Sequence, residues 1–190
     1  MDTKSRIIEI ATALFQQKGY MGVGLNEILK ACNISKGSLY HHFPNGKEEL
    51  LIACLQALNE AITEDIEEVF KRHANTQEAT VAVIDKLIGH LETEGTVAGY
   101  TFSSIVSEMA AVNEPVRKAC DQLYQRIQNI YYHKLAADGF AESTAKSVAL
   151  TMTAAIEGGM LFCLTQKSTE PLRVIAQTLP NLLKGLLSSE

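Results

Sequence analysis

Between Leu25 and Leu50 the chain reads LNEILKACNISKGSLYHHFPNGKEEL, and this stretch leaves few folds open. Apolar residues fall at helical spacing at Leu25, Ile28, Leu29 and Cys32, stop at Asn33-Ile34-Ser35, and resume at Leu39 and Phe43. That pattern predicts two short helices joined by a tight turn, with a long helix after them. Asn33 stands where the chain must pass through a left-handed conformation, which Asn accepts better than any residue but Gly. Ser35 offers a side-chain oxygen to the free N–H groups at the start of the second helix. Pro44 ends that helix by pushing its predecessor out of the helical region. Asn45 then opens the long helix, with Glu48 three residues on as its capping partner.

The second short helix is built to touch something polar. Leu39 and Phe43 share one face and should dock inward, which leaves Lys36, Ser38, Tyr40, His41 and His42 on the others. A cation, a hydroxyl, a phenol and two imidazoles on so short a helix suit phosphate oxygens and base edges. Gly37 weakens the helix by roughly 1 kcal/mol relative to Ala. Such a cost makes sense where the backbone must approach a partner closely.

SKGSLYHHFPNGKEEL, the LNEILKACNI before it and a first helix followed by Gly19-Tyr20 together resemble the DNA-binding domain of the TetR family of transcriptional regulators. The PNGKEEL variant and the EGGMLFCL at 157–164 are most similar to the branch of drug-export repressors around LmrA. The resemblance implies an all-α fold of about nine helices: a three-helix helix-turn-helix DNA-binding domain over residues 1–46 and a helical ligand-binding and dimerisation domain over 47–190. It also implies a ligand-responsive transcriptional repressor. Such a repressor binds a pseudo-palindromic double-stranded operator as a homodimer, formed through a four-helix bundle of the last two helices, and a small apolar or aromatic effector releases it. The DNA contacts then fall to Lys36, Gly37, Ser38, Tyr40, His41, His42 and Lys47, the last on a phosphate. Read without the family, Lys47 is an exposed partner for Glu48 or Glu49. Family members usually carry Thr or Ser near Val23 or Gly24, and neither residue here can supply that hydroxyl.

At 190 residues the chain can bury a substantial core. It contains no apolar run of about 18 residues, so no membrane span is expected. The N-terminal MDTKSRIIEI lacks the apolar stretch of a signal peptide, which predicts a cytoplasmic protein. A net charge of −5 looks wrong for a DNA binder until the chain is divided. Residues 1–50 hold six Lys/Arg against five Asp/Glu, and the remainder eleven against seventeen. The acid therefore sits away from the expected DNA face, and affinity must come from a few placed contacts and from dimerisation.

Elsewhere the pattern predicts a helix from Thr3 to Lys18 stopped by Gly19, and one long helix from Gly46 to about Arg72. Another runs from Asn75-Thr76 to Gly95 with Val81, Ile84, Leu87, Ile88 and Leu91 on its inner face. Its β-branched run, Thr80 to Ile84, has no second strand to pair with and so reads as helix. A break at 99–103 precedes a short helix at 105–111 and a long one from Asn113-Glu114-Pro115 to Asp138-Gly139. The last two helices cover about Ala141 to Thr165 and Glu170 to Leu187. The first of these is apolar nearly all round, so it should be buried on every side, one of them by a partner subunit. Ala155 and Gly159 are small enough to let another helix come close.

An effector pocket in the second domain follows from the family, and Tyr100, Phe102, Met109, Tyr131, Met152, Glu157 and Met160 are its candidate contacts. Each of the apolar ones is also an ordinary core residue. Glu157, a carboxylate inside an apolar helix, must be paired or protonated. It is either an internal anchor or a recognition group for a cationic or hydroxylated effector. His41 and His42 are adjacent on a helix and point apart, so no metal site is expected, and no cofactor. Cys32, Cys54, Cys120 and Cys163 are widely spaced and read as small buried residues. No nucleophile elbow, phosphate loop or HExxH occurs, so an enzyme is not expected. The alternative is a small-molecule-binding regulator of the same fold that does not touch DNA directly.

Overall fold

A computed structural model describes residues 2–95, 105–109 and 113–187, and among these every regular element is a helix. Helix α1 spans Thr3–Lys18, α2 Leu25–Cys32, α3 Lys36–His42, α4 Lys47–Arg72 and α5 Thr76–Glu94. Helix α6 is described over 105–109, followed by α7 at Glu114–Ala137, α8 at Glu142–Gln166 and α9 at Glu170–Leu187. The expected all-α architecture is the one adopted, and the run Thr80 to Ile84 lies within α5. The chain forms two compact units, Met1–Ala61 with Thr101–Gln122, and Ile62–Tyr100 with Leu123–Glu190.

In the first unit the turn chemistry acts as the residues dictate. Asn33 adopts the left-handed conformation (φ 51°, ψ 51°) and returns its N–H to α2. The Ser35 hydroxyl accepts the Ser38 N–H at 3.1 Å, and Phe43, held before Pro44, leaves the helical region at φ −136°. Gly24 begins α2 with no side-chain cap, the consequence of lacking a hydroxyl there. The start of α4 differs from expectation. Gly46 takes a positive φ of 69°, the helix begins at Lys47, and it is Glu49 that accepts the Asn45 N–H, at 2.8 Å. A left-handed residue between Asn45 and the helix shifts the reach by one position, and Glu48 is left exposed. The core of this unit includes Ile7, Phe15, Ile28, Leu39, Phe43, Leu50 and Leu51, all at most 2% exposed.

In the second unit α9 lies against both α5 and α8. Helix α5 buries Ile84 and Ile88 of the predicted face, but the covered surface extends toward its N-terminal threonines. Val81 and Leu87 are only half-buried, whereas Thr76, Ala79 and Thr80 are fully covered. Threonine can enter the core where its hydroxyl finds a hydrogen-bond partner. Thr80 Oγ1 donates to the Thr76 carbonyl at 2.6 Å, and Thr76 gives both its N–H and its hydroxyl to Asp138 at 2.6 Å each. Asn75 caps the same helix through the Glu78 N–H. Lys134 from α7 closes the preceding turn on the His73 and Ala74 carbonyls.

Helix α8 is not buried on every side within one chain. Met152, Ile156, Met160 and Cys163 face inward, but Leu150, Leu161 and Phe162 are more than half exposed. Val174, Leu182 and Leu186 of α9 are exposed as well. By length and hydropathy α8 would suffice to cross a bilayer. Its inward face is instead the core under α9. A Cβ placed on Gly159 would lie 2.5 Å from Ile175 Cδ1 and 2.9 Å from Leu172 Cδ2, so α9 approaches α8 at a point only glycine permits.

Candidate nucleic-acid interface

Helix α3 is fixed from beneath and open above. Leu39 is 0% and Phe43 1% exposed, which pins one face of the helix to the core of the first unit. The opposite surface carries Lys36, Gly37, Tyr40 and His41, all exposed, with Ser38 and His42 half-buried beside them. Lys36 Nζ lies 5.8 Å from the centre of the Tyr40 ring, and the His41 and His42 rings meet edge-on at 5.1 Å. Six of the seven residues expected to contact DNA thus belong to one short helix. With Leu39 and Phe43 committed to packing, the side chains left in solvent are donors, a phenol and a cation.

The seventh, Lys47, is placed differently. Its ammonium donates to the Tyr20 carbonyl at 2.5 Å and sits 3.9 Å above the centre of the Tyr20 ring, not on Glu48 or Glu49. Burial lowers the pKa of Lys47 from its ordinary value, and the charge of Glu108 opposes that shift. Burial likewise raises the Tyr20 phenol, with Glu48 adding to the effect. Two further cations stand on the first helix. Lys4 Nζ is 5.7 Å from the Phe43 ring, and Arg6 donates to the Cys32 carbonyl at 2.7 Å, closing the end of α2. The roles of Tyr20 and Glu108 were not legible in the sequence, since each meets Lys47 only through folding.

The residues expected to form a pocket are less concentrated. Tyr100 and Phe102 lie outside the described residues. Met109 is buried in the first unit; Tyr131, Met152 and Met160 are buried in the second. Burial raises the Tyr131 phenol well above its usual range, and the charge of the half-buried Glu157 adds to the rise. The Tyr131 ring also lies 5.1 Å from that of Phe70. A separate cleft of about 500 Å³ opens between α4 and α7, lined by Phe70, Ile130 and Ala137 with Lys71, Arg126 and His133 among its polar residues. All four cysteines are buried, and burial pushes the Cys54 thiol up to about 12 and Cys120 to about 11, which keeps both as inert thiols. Among the described residues no three His, Cys, Asp or Glu side chains are grouped to hold a metal ion.

Comparison with known proteins decides the family. Residues 7–54 match the model of bacterial regulatory proteins of the tetR family, and residues 76–178 that of the C-terminal domain of LmrA/YxaF-like transcriptional regulators. The chain belongs to the TetR family. Within it the protein is 36% identical over 183 residues to the HTH-type transcriptional regulator LmrA of Bacillus subtilis, covering 96% of this chain and 97% of that one. It is 33% identical over the same length to the uncharacterized regulator YxaF of the same organism, covering 96% of each. The TetR-family fold is matched by the crystal structure of reduced E. coli NemR, with a TM-score of 0.86, 23% identity and coverage of 95% and 96%. The protein is therefore a TetR-family transcriptional regulator with an LmrA/YxaF-like C-terminal domain.

Proposed function

We propose that this regulator is a homodimeric, effector-responsive repressor that reads a pseudo-palindromic operator in the cytoplasm. The observation that carries the reading is the surface of α3, where Lys36, Tyr40 and His41 are exposed on a helix whose other face is buried through Leu39 and Phe43. A helix of this size fits the major groove, where its N-terminal residues meet base edges. Lys36, Gly37, Ser38, Tyr40, His41 and His42 make those contacts, and Lys47 adds a phosphate contact once it leaves Tyr20. The reading domain covers residues 1–46, and the remainder serves ligand binding and dimerisation.

Two copies associate through α8 and α9, whose exposed Leu150, Leu161, Phe162 and Leu182 would otherwise stay in water. Two-fold symmetry then sets the half-sites one helical turn apart, roughly 34–36 Å between centres. A small apolar or aromatic effector binds among Tyr131, Met152 and Met160, with Glu157 supplying the polar contact; Tyr100, Phe102 and Met109 are the further candidates. It favours a conformation in which the two readers no longer match the DNA repeat. Selection of genomic fragments by the purified protein across a salt series tests the reading. A palindromic site whose affinity falls steeply with salt is the expected result. Ligand binding without any such site would support a regulator of this fold that leaves DNA to a partner.

A further inference from the structure

The peptide group between Tyr20 and Met21 is held at both ends by opposite charges. Its oxygen accepts the Lys47 ammonium at 2.5 Å, and its N–H donates to Glu108 Oε2 at 3.2 Å. Lys47 comes from the first turn of α4 and Glu108 from the short helix at 105–109, so one peptide of the α1–α2 loop joins two elements distant in sequence. A cation at the oxygen and an anion at the nitrogen polarise the amide in the same sense, and each bond strengthens the other. Gly19 makes room for the grip. A Cβ there would stand 2.6 Å from Glu108 Oε1, and the residue's φ of 69° excludes other side chains in any case. The Tyr20 ring beneath the ammonium completes an enclosure that leaves Lys47 half-buried.

We propose that Glu108 is a restraining residue: from the 105–109 helix it grips the Tyr20–Met21 peptide and keeps the Lys47 ammonium folded onto Tyr20, withheld from DNA phosphate. The proposal rests on the reading of Lys47 as a phosphate contact. A lysine bound in this way cannot also neutralise a phosphate, so the contact and the grip compete for one ammonium. The 105–109 helix follows directly on the stretch that carries Tyr100 and Phe102, two of the proposed effector contacts. Whatever moves that helix changes the hold on Lys47.

The test compares wild type, Glu108→Gln, Lys47→Ala and the double variant on the DNA site selected by the wild-type protein, across a salt series. Glutamine keeps an oxygen for the Met21 N–H and removes only the charge. Glu108→Gln should bind about two- to fivefold tighter, the scale of an exposed charge interaction. The slope of log affinity against log salt should steepen by about 0.9, one added phosphate contact. Both effects should vanish in the Lys47→Ala background, because the restraint acts only through that side chain. Unchanged or weaker binding by Glu108→Gln overturns the proposal, as does a gain that survives without Lys47. If neither wild type nor Glu108→Gln shows salt-dependent binding, the DNA-binding reading falls and the restraint with it. Wild-type binding with an unaltered variant removes the restraint alone.

Discussion

Helix α3 has seven residues and α8 twenty-five, and what holds each in place differs as much as their lengths. A helix of seven residues is far below the roughly 12–15 needed for marginal stability in water. Its existence depends on the Ser35 cap, the stop before Pro44 and the burial of Leu39 and Phe43. Helix α8 begins at Ala141 with no side-chain cap and ends on Lys167 in a left-handed conformation without glycine. Packing on one side holds it, so weak ends are tolerated. The residues each leaves in water differ accordingly: a cation, a phenol and an imidazole on α3, and Leu150, Leu161 and Phe162 on α8. Polar groups on a firmly anchored short helix suit a polar, charged partner, while apolar groups on a long helix suit a second apolar surface.

The contrast is broken most severely by removing the anchor of α3. Leu39→Ala should cost about 2–5 kcal/mol in chemical denaturation and abolish DNA binding with it, because a fully buried side chain is replaced by a cavity. On α8 the reverse separation is expected. Phe162→Glu should leave the monomer within about 0.5 kcal/mol of wild type, while sedimentation reports a dimer weakened by about 2 kcal/mol or more. Intact dimers from that variant would place the partner elsewhere. Lys36→Ala and Tyr40→Ala should each lose about 1–3 kcal/mol of operator affinity with dimer and melting temperature unchanged. Ser35→Ala sharpens the comparison at the smallest scale. It should lower stability by about 1 kcal/mol, and Ala141→Ser, which adds a cap at the start of α8, should raise it by a similar amount.

The same contrast explains what could be read from sequence. Asn33, Ser35 and Pro44 act within three or four residues of themselves, so their chemistry was legible along with the helix-turn-helix they define. The long helices were equally plain from their apolar spacing. What escaped depends on residues brought together from a distance. Thr76 is buried where Asp138, sixty-two positions away, takes both its donors, while Val81 of the predicted face is only half-buried. In sequence the nearest acidic partners of Lys47 are Glu48 and Glu49, yet its ammonium meets the carbonyl of Tyr20. Of the candidate site, Lys36, Gly37, Tyr40 and His41 are exposed on one short helix, a proximity that adjacency in sequence makes legible. The effector residues come from several elements, and no local rule fixes which of their faces meet.

Gly159 sets the phase of the C-terminal pair. Because α9 touches α8 most closely where only a hydrogen fits, sliding either helix by one turn would drive a methyl group or larger into Leu172 and Ile175. The exposed leucines of α9 are thereby locked in step with those of α8, and the pair presents one fixed pattern to whatever it meets. In the proposed dimer, specificity between copies of this chain and copies of related regulators can then drift at Leu150, Phe162 or Leu182 without disturbing the alignment beneath. A single hydrogen atom in place of a side chain acts as the index mark from which that outer pattern is measured.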